Sequence, residues 1–170
     1  MSGTELACGR RALHLPIIKI GSFCLTFLNT PVNEKPDALT VLMVDDNPCD
    51  VLLLQHALTE VGRSVRFHSL PNGTAAVSTL SCGPLPDVLV IDFTLPGETG
   101  VEVMKKLQAN PRWNAIPIVL LSGLFPPQQQ QIAEEHGALC LEKPLDLDAW
   151  AEVAHRIHKL VNAQRFILAV

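Results

Sequence analysis

The sequence predicts an α/β domain in which helices cover both faces of a doubly wound, parallel sheet of five strands. Three observations support this fold class. Five short apolar runs alternate with five helical stretches from residue 39 onward, with short links between them. Several of the runs are continuously apolar, as in strands buried on both faces. Polar residues follow the runs, and parallel sheets of this type form their sites at the carboxyl ends of the strands.

The first strand and the first helix meet at an acidic pair. Residues 39–44 form an apolar run that ends at Asp45 and Asp46. Asn47 is a good N-cap for the helix that follows, in which apolar side chains recur at helical spacing. We expect Gly62 to end this helix, because glycine adopts the left-handed conformation of a C-terminal cap at little cost.

The middle of the chain continues the alternation. Asp50 lies in the first turn of the first helix, where an acid complements the helix dipole. A second strand is predicted at 64–70 and a short helix at 73–81. The third strand, 88–91, is the most uniformly apolar and stops at Asp92. An ionised acid at the end of a buried strand is costly unless another group pairs with it.

The remaining elements repeat the pattern. Pro96-Gly97 marks a turn before the third helix, and Gly137 closes the fourth. The predicted strands and helices of this half are 100–110 (helix), 118–121 (strand), 127–136 (helix), 138–141 (strand) and 146–161 (helix). Because strands and helices alternate throughout, right-handed crossovers leave the doubly wound topology as the main option.

Composition and charge exclude several classes of protein. Apolar residues make up 48% of the 170-residue chain, which excludes disorder of the whole chain. The net charge of −4 argues against a nucleic-acid binder, and no apolar run reaches the ~20 residues that span a bilayer. The five cysteines are scattered and never form a C-x-x-C pair. They predict small buried side chains in a reducing cytoplasm rather than a zinc site or disulfides.

Three segments are predicted. Residues 1–38 form a poorly ordered extension, 39–163 the domain, and 164–170 a short apolar tail. In the extension Arg10-Arg11 precedes an apolar stretch, as in a secretion signal, but Lys19 interrupts that stretch and no cleavage motif follows. An added strand is a further alternative for this segment. The tail is expected to pack on its own domain or to form a dimer or partner contact.

Five polar residues follow the strands and are predicted to meet at one edge of the sheet: Asp45, Asp46, Asp92, Ser122 and Lys143. Two like charges ~4 Å apart repel by about 4 kcal/mol at an effective dielectric of 20, so three carboxylates require a cation. Lys143 can offset one charge, and the remainder suits Mg²⁺ better than zinc. A carboxylate there can act as a nucleophile toward phosphorus, while a hydroxyl and an ammonium bind phosphoryl oxygens.

Each of these residues also has a plainer interpretation. Asp45 and Asp46 could cap the helix that follows, Asp92 could be a loop acid, and Ser122 an ordinary turn residue. Lys143 could be a solvated side chain before a proline. Five such residues at the ends of four strands are nevertheless better explained by a shared site.

The residues Asp45-Asp46, Asp92, Ser122 and Lys143-Pro144 resemble in order and spacing the receiver domain of two-component response regulators. The resemblance covers 39–163 and implies the chemotaxis-regulator-like, flavodoxin-like strand order 2-1-3-4-5. It implies that Asp92 accepts a phosphoryl group from a sensor histidine kinase, with Mg²⁺ as cofactor. It assigns the metal to Asp45 through water, to Asp46 and Asp92 directly, and to the backbone carbonyl of Thr94. It assigns phosphoryl contacts to Ser122 and Lys143.

Two features refine the resemblance. The segments around Asn47-Pro48 and Lys143-Pro144 are most similar to single-domain regulators paired with phytochrome-type kinases. Cys140 stands where switching receivers usually have Tyr or Phe, so an aromatic readout is in doubt. Thr94 and Leu124 flank the site and neither is an acid or amide, which predicts slow loss of the phosphoryl group.

The predicted output is a protein contact, since no effector domain fits the remaining length. The chain would accept phosphate without being a turnover enzyme, in the cytoplasm, with no nucleic-acid or membrane partner. A homodimer through the last strands and helices is one form of output. A receiver-like adaptor that is not phosphorylated remains an alternative, favoured by Cys140. An aspartyl-phosphate hydrolase would need a second acid two residues after its nucleophile. The residue two positions after Asp92 is Thr94, which argues against a hydrolase.

Overall fold

The computed structural model describes residues 38–61 and 64–168. Their core is a five-stranded parallel sheet in the order β2-β1-β3-β6-β7. Its strands are β1 (Leu39–Val44), β2 (Val65–Leu70), β3 (Val88–Asp92), β6 (Ile118–Ser122) and β7 (Leu139–Glu142). Two further strands, β4 (Thr94–Leu95) and β5 (Glu98–Thr99), form a separate hairpin. When only the five strands of the main sheet are numbered along the chain, their order is the predicted 2-1-3-4-5, and the doubly wound fold class is confirmed.

Within the part of the chain that the structure describes, five helices cover the two faces of the sheet. They are α1 (Pro48–Glu60), α2 (Gly73–Cys82), α3 (Gly100–Gln108), α4 (Pro127–Glu135) and α5 (Leu147–Leu168). Buried side chains of α1 and α5 form one core with one face of the sheet. Those of α2, α3 and α4 form a second core on the opposite face. The central strands β1, β3 and β6 are almost entirely buried, whereas the edge strand β2 is half-buried.

Local signals explain where the helices begin. The side chain of Asn47 accepts a hydrogen bond from the backbone N–H of Cys49 at 3.0 Å, which confirms the predicted cap of α1. Asn72 caps α2 in the same way through Ala75 at 2.9 Å. Gly137 follows α4 with a φ of +79°, the left-handed conformation predicted for it. The predicted role of Gly62 and the calls on residues 1–37 lie outside the described residues.

A two-stranded hairpin was not predicted from the sequence. Strands β4 (Thr94–Leu95) and β5 (Glu98–Thr99) pair antiparallel directly after β3. Gly97 has a φ of +81° in the turn between them. Pro followed by Gly is the sequence of a type II turn, in which the second central residue needs a positive φ. The predicted turn at Pro96-Gly97 is therefore the tip of a hairpin beside Asp92.

The structure corrects the prediction of a short C-terminal tail after the last helix. The sequence placed the end of the last helix near residue 161, but α5 continues to Leu168. Two tertiary contacts hold its last turns, since Gln164 donates to the carbonyl of Ala115 at 2.8 Å and Arg165 meets Asp87 at 2.9 Å. Phe166 and Ile167 do not pack on the domain as expected, because they are 74% and 72% exposed.

The prediction that the cysteines are buried is wrong for two of them. Cys49 and Cys82 are exposed rather than buried, and Cys140 is half-buried; all three are free thiols. Cys49 lies in the first turn of α1 and Cys82 ends α2, positions that face away from both cores. Within residues 38–61 and 64–168, no helix combines the length and the apolar character needed to cross a membrane.

Candidate phosphoacceptor site

The sheet topology brings the predicted polar residues to one edge. Asp45 and Asp46 follow β1, while Asp92 and Ser122 are the last residues of β3 and β6. Lys143 comes directly after β7. These strands are consecutive neighbours in the sheet, so their carboxyl ends lie side by side. We call this side of the sheet the carboxyl edge.

Three carboxylates cluster at the carboxyl edge. One oxygen from each of Asp45, Asp46 and Asp92 lies within 4.8 Å of the others. Asp45 and Asp92 are buried, and Asp46 is exposed. Oxygen donors at this spacing, with one side open to solvent, fit a hard divalent cation that keeps several of its waters. The donor set therefore fits Mg²⁺ and offers no sulfur or nitrogen ligand that would favour zinc.

Lys143 is the cation that faces these acids. Its ammonium lies 3.0 Å from Asp45 Oδ2 and 3.1 Å from Asp92 Oδ1. A third carboxylate, Asp50 Oδ2, is nearer still at 2.8 Å. The Lys143 side chain is only 14% exposed. Three acids thus contact one lysine and Asp46 lies beside two of them, so the edge carries a surplus of negative charge.

Burial and pairing set the protonation of this cluster. Burial raises the pKa of Asp45 above its ordinary value, although the Asn47 N–H and Lys143 both act to lower it. Burial alone would lower the pKa of Lys143, but hydrogen bonds to Asp50 and Asp45 outweigh it and raise that pKa. Lys143 therefore stays protonated, and burial disfavours the ionised form of Asp45.

Asp50 is a residue of the site that the sequence argument did not assign to it. The sequence predicted only a favourable interaction with the dipole of α1. In the structure its Oδ2 accepts from Lys143 and from the Asn47 side chain at 2.9 Å. The signal available in the sequence was its spacing, one helical turn beyond the acidic pair, which aims a first-turn side chain back at the same edge.

Ser122 lies in the site but is engaged with its own loop. Its hydroxyl donates to the carbonyl of Leu124 at 2.7 Å and accepts from the Leu124 N–H at 3.2 Å. The side chain is buried, whereas Leu124 is 80% exposed. To contact a phosphoryl oxygen, the hydroxyl would exchange its donor bond to Leu124 for one to that oxygen.

Gly100 packs closely against the backbone of Asp92 and Phe93. It is the first residue of α3, and its N–H donates to the carbonyl of Phe93 at 2.8 Å. A Cβ at this position would overlap the carbonyl oxygen of Asp92 and lie 2.9 Å from Cα of Phe93. Only glycine allows α3 to start so close to the end of β3. The sequence pattern alone predicts no such role for Gly100.

Thr94 and Cys140 complete the predicted set. Thr94 lines an open cavity of about 380 Å³ with Glu98 and Glu102 of the adjoining hairpin and helix. Metal binding by its backbone carbonyl stays a prediction. Cys140 is half-buried in β7, where burial and the nearby charge of Glu134 raise its pKa to about 11. It therefore behaves as a small apolar side chain at the position where an aromatic was expected.

A family model supports the same assignment over most of the domain. The model for the response regulator receiver domain matches residues 41–155. Among characterised proteins, a probable cyclic di-GMP phosphodiesterase of Vibrio cholerae is 29% identical over 106 residues, 62% of this chain. The matched region is only 23% of that protein. The chain thus spans less than a quarter of this relative, which carries other regions besides.

Solved structures share the fold. The phosphorylated cyanobacterial phytochrome response regulator RcpA superposes with a TM-score of 0.65 at 22% identity, covering 72% of this chain and 92% of that one. The Mn²⁺-bound form of response regulator Rcp1 has a TM-score of 0.63 at 25% identity, covering 70% and 91%. Sheet order, acidic cluster and family model agree, and this chain belongs to the response regulator receiver domain family.

Proposed function

We propose that the chain is a phosphoacceptor of a two-component relay, in which Asp92 takes a phosphoryl group from a sensor histidine kinase. The observation that carries the proposal is the position of Asp92, buried at the end of β3, 3.1 Å from the Lys143 ammonium and beside two further acids. A structural ion pair would need one acid, whereas the surplus of carboxylates creates a site for a divalent cation.

The proposed reaction transfers a phosphoryl group from a histidine nitrogen of the kinase to a carboxylate oxygen of Asp92. A carboxylate oxygen of Asp92 forms the new bond to phosphorus, and the bond from phosphorus to the donor imidazole nitrogen breaks. That nitrogen keeps the electron pair and later takes a proton from solvent. Mg²⁺, held by Asp45, Asp46, Asp92 and the Thr94 carbonyl, would supply positive charge for the phosphoryl oxygens and the entering carboxylate. The chain is altered by this step and does not turn over as an enzyme.

Lys143 and Ser122 are proposed to hold the transferred group. Lys143 already meets Asp92, so its ammonium is positioned to contact an oxygen of a phosphoryl group on that residue. Ser122 can offer its hydroxyl once the bond to the Leu124 carbonyl is exchanged. These contacts would differ between the two states of the protein and could carry the signal without an aromatic at Cys140.

The surroundings of the site suit a protein partner. Exposed leucines occur in the segments that follow the site residues: Leu52 on α1, Leu124 after β6, Leu145 after β7 and Leu147 at the start of α5. A kinase that presents a phosphohistidine to Asp92 must cover this mouth and would bury these side chains. The donor is proposed to be a phytochrome-type kinase in the cytoplasm, on the resemblance carried by the segments around Asn47-Pro48 and Lys143-Pro144. Output is proposed to be a protein contact, with a homodimer through the last strands and helices as one form.

The decisive experiment is phosphorylation by a small donor. The protein is incubated with acetyl phosphate and Mg²⁺, and its intact mass is measured. We expect a gain of one phosphoryl group in the wild type and none in Asp92→Asn. Asp148→Asn, an exposed acid of α5, is the matched control and should gain the group like the wild type. No mass gain in the wild type would contradict the proposal.

A second candidate function is an adaptor that binds partners without phosphorylation. The observation in its favour is Cys140, which removes the aromatic side chain that the family resemblance led us to expect. The same mass measurement separates the two functions, because the adaptor would not gain a phosphoryl group.

The lifetime of the phosphorylated form is a further test. Hydrolysis needs a positioned water, and Leu124 has no polar group to hold one. We expect decay to be slow, over many minutes or longer. Timing the loss of the added mass after donor removal checks this, and a lifetime of seconds would contradict it.

A further inference from the structure

Lys143 has as many carboxylate contacts as it has protons to donate. An ammonium carries three N–H donors and no acceptor. Asp45 and Asp50 accept hydrogen bonds from it at 3.0 and 2.8 Å, and Asp92 forms an ion pair at 3.1 Å. A phosphoryl oxygen on Asp92 can therefore gain a contact with Lys143 only if one of these carboxylates gives up its own.

The three carboxylates differ in how easily they can lose the lysine. The side chain of Asp45 is fully buried, and an unpaired buried carboxylate is costly. Asp92 is the residue that carries the phosphoryl group, which brings its own oxygens to the lysine. Asp50 is 19% exposed, and the same oxygen that meets Lys143 also accepts from the Asn47 side chain. It can be rehydrated while keeping one hydrogen bond.

We infer that Asp50 is a positioning residue that holds Lys143 toward the first turn of α1 and competes with the phosphoryl group for it. The inference rests on the proposed function, since the competitor is a phosphoryl group on Asp92. Phosphorylation would then break the Asp50–Lys143 bond and leave the Asp50 carboxylate to water and to the Asn47 side chain at the start of α1. Leu52 is an exposed residue of the same helix.

The network around Asn47 explains why Asp50 is well placed for this role. The Asn47 N–H donates to Asp45 Oδ1 at 2.8 Å, and its side chain donates to Asp50. One residue thus fixes both carboxylates that grip Lys143 by hydrogen bonds. The N-terminal end of α1 adds favourable electrostatics for the Asp50 carboxylate. The hydrogen bonds at the start of α1 therefore hold Asp50 in the position from which it contacts Lys143.

Competition can be measured without turnover. Beryllofluoride with Mg²⁺ forms a stable analogue of an aspartyl phosphate, and its binding to the whole protein can be titrated by ¹⁹F NMR. We expect Asp50→Asn to bind it about threefold to tenfold more tightly than the wild type, because a charged competitor for Lys143 is gone. Asp50→Ala should change the affinity in the same direction. Circular dichroism and thermal melting check that both variants are folded.

Two controls isolate the competition. In a Lys143→Ala background, Asp50→Asn should leave the affinity unchanged, because the shared partner is missing. Asp148→Asn removes an exposed acid from the first turn of another helix at the same edge, and it measures the effect of net charge alone. Equal affinity of Asp50→Asn and wild type would overturn the inference. So would the same gain in the Lys143→Ala background or in Asp148→Asn.

A failure of the proposed function gives a different result. If the wild type binds no beryllofluoride and gains no mass from acetyl phosphate, both the proposed function and the competition are wrong. If the wild type binds the analogue and takes up phosphate, but Asp50→Asn changes nothing, only the role of Asp50 is wrong.

Discussion

The two edges of the sheet use charge differently. At the amino edge, Arg165 of α5 meets Asp87 at 2.9 Å, and the second oxygen of Asp87 accepts from the Thr40 N–H at 2.8 Å. Both side chains of that ion pair are partly exposed. At the carboxyl edge, the half-buried Lys143 faces three acids and a fourth lies nearby. The first arrangement ties elements together, whereas the second leaves charge that only a ligand can neutralise.

The difference shows how a single fold separates stability from function. An ion pair that also accepts from the backbone holds the end of α5 against the start of β3. Surplus carboxylates repel one another and lower stability, so their presence at one edge marks a site. Removal of an acid should therefore have opposite effects on stability at the two edges, and the comparison can be tested from the largest expected effect to the smallest.

The largest effect is expected from the backbone that supports the carboxyl edge. Gly100→Ala should lower the free energy of unfolding by about 3 kcal/mol, because the new Cβ would overlap the Asp92 carbonyl, which cannot move freely. Denaturant unfolding measures the change. Gly123→Ala is the matched control at the same edge, since a Cβ there meets nothing within 4 Å. An equal effect of the two substitutions would show that the close approach at Gly100 is not what matters.

Removal of the lysine tests whether the acids repel one another. Lys143→Met should lower the free energy of unfolding by about 2 kcal/mol at neutral pH, since buried Asp45 loses its cation. The pKa of Lys143 is raised in the folded protein, so its contribution is complete below the ordinary value of 10.5. It is lost only as the pH rises through the higher folded pKa. The difference between variant and wild type should thus be constant from about pH 7 to pH 10.

Mg²⁺ supplies the check on this interpretation. A divalent cation replaces the lost positive charge, so titration with MgCl₂ should narrow the gap in melting temperature between Lys143→Met and wild type. If the gap widens, repulsion among the acids is not the cause of the destabilisation.

The smallest effects compare one acid from each edge. Burial raises the pKa of Asp45, so stability from this group is complete below its ordinary value of 3.8 and is lost as the pH rises through the folded pKa. Asp45→Asn should therefore be more stable than the wild type by about 1 kcal/mol at pH 7, and the gain should vanish in acid. Asp87→Asn should instead cost about 0.5 kcal/mol, as expected for a partly exposed ion pair.

Urea unfolding of both variants between pH 3.5 and pH 7 measures these changes on the pH scale of carboxylates. Two changes of the same sign at neutral pH would remove the distinction between the edges.

Much of the fold could be predicted because local signals agree with it. Continuous apolar runs gave the central strands, and Asn47 and Gly137 marked helix ends through chemistry that acts over a few residues. The site residues could be placed because parallel strands bring their carboxyl ends together, whatever the detailed packing. Position along the chain was sufficient for Asp92 and Lys143.

The features that sequence reasoning missed depend on contacts between distant segments. The last turns of α5 are held by Ala115 and Asp87, which lie about 50 and 80 residues away along the chain. Asp50 has a complete local explanation in the helix dipole, so nothing in the sequence required a second partner. The β4–β5 hairpin has strands of two residues each, too short for any periodicity to show.

The length of α5 has a mechanical consequence. The helix begins four residues after Lys143 and runs for 22 residues to the opposite edge, a span of about 33 Å. An unbroken helix of this length acts as a lever. A tilt of about 5° at Leu147 would move Phe166 by roughly 2.5 Å. Such a tilt would also have to lengthen the contacts of Gln164 with Ala115 and of Arg165 with Asp87. A small shift of the loop after Lys143 would therefore be amplified at two exposed apolar side chains on the far side of the domain.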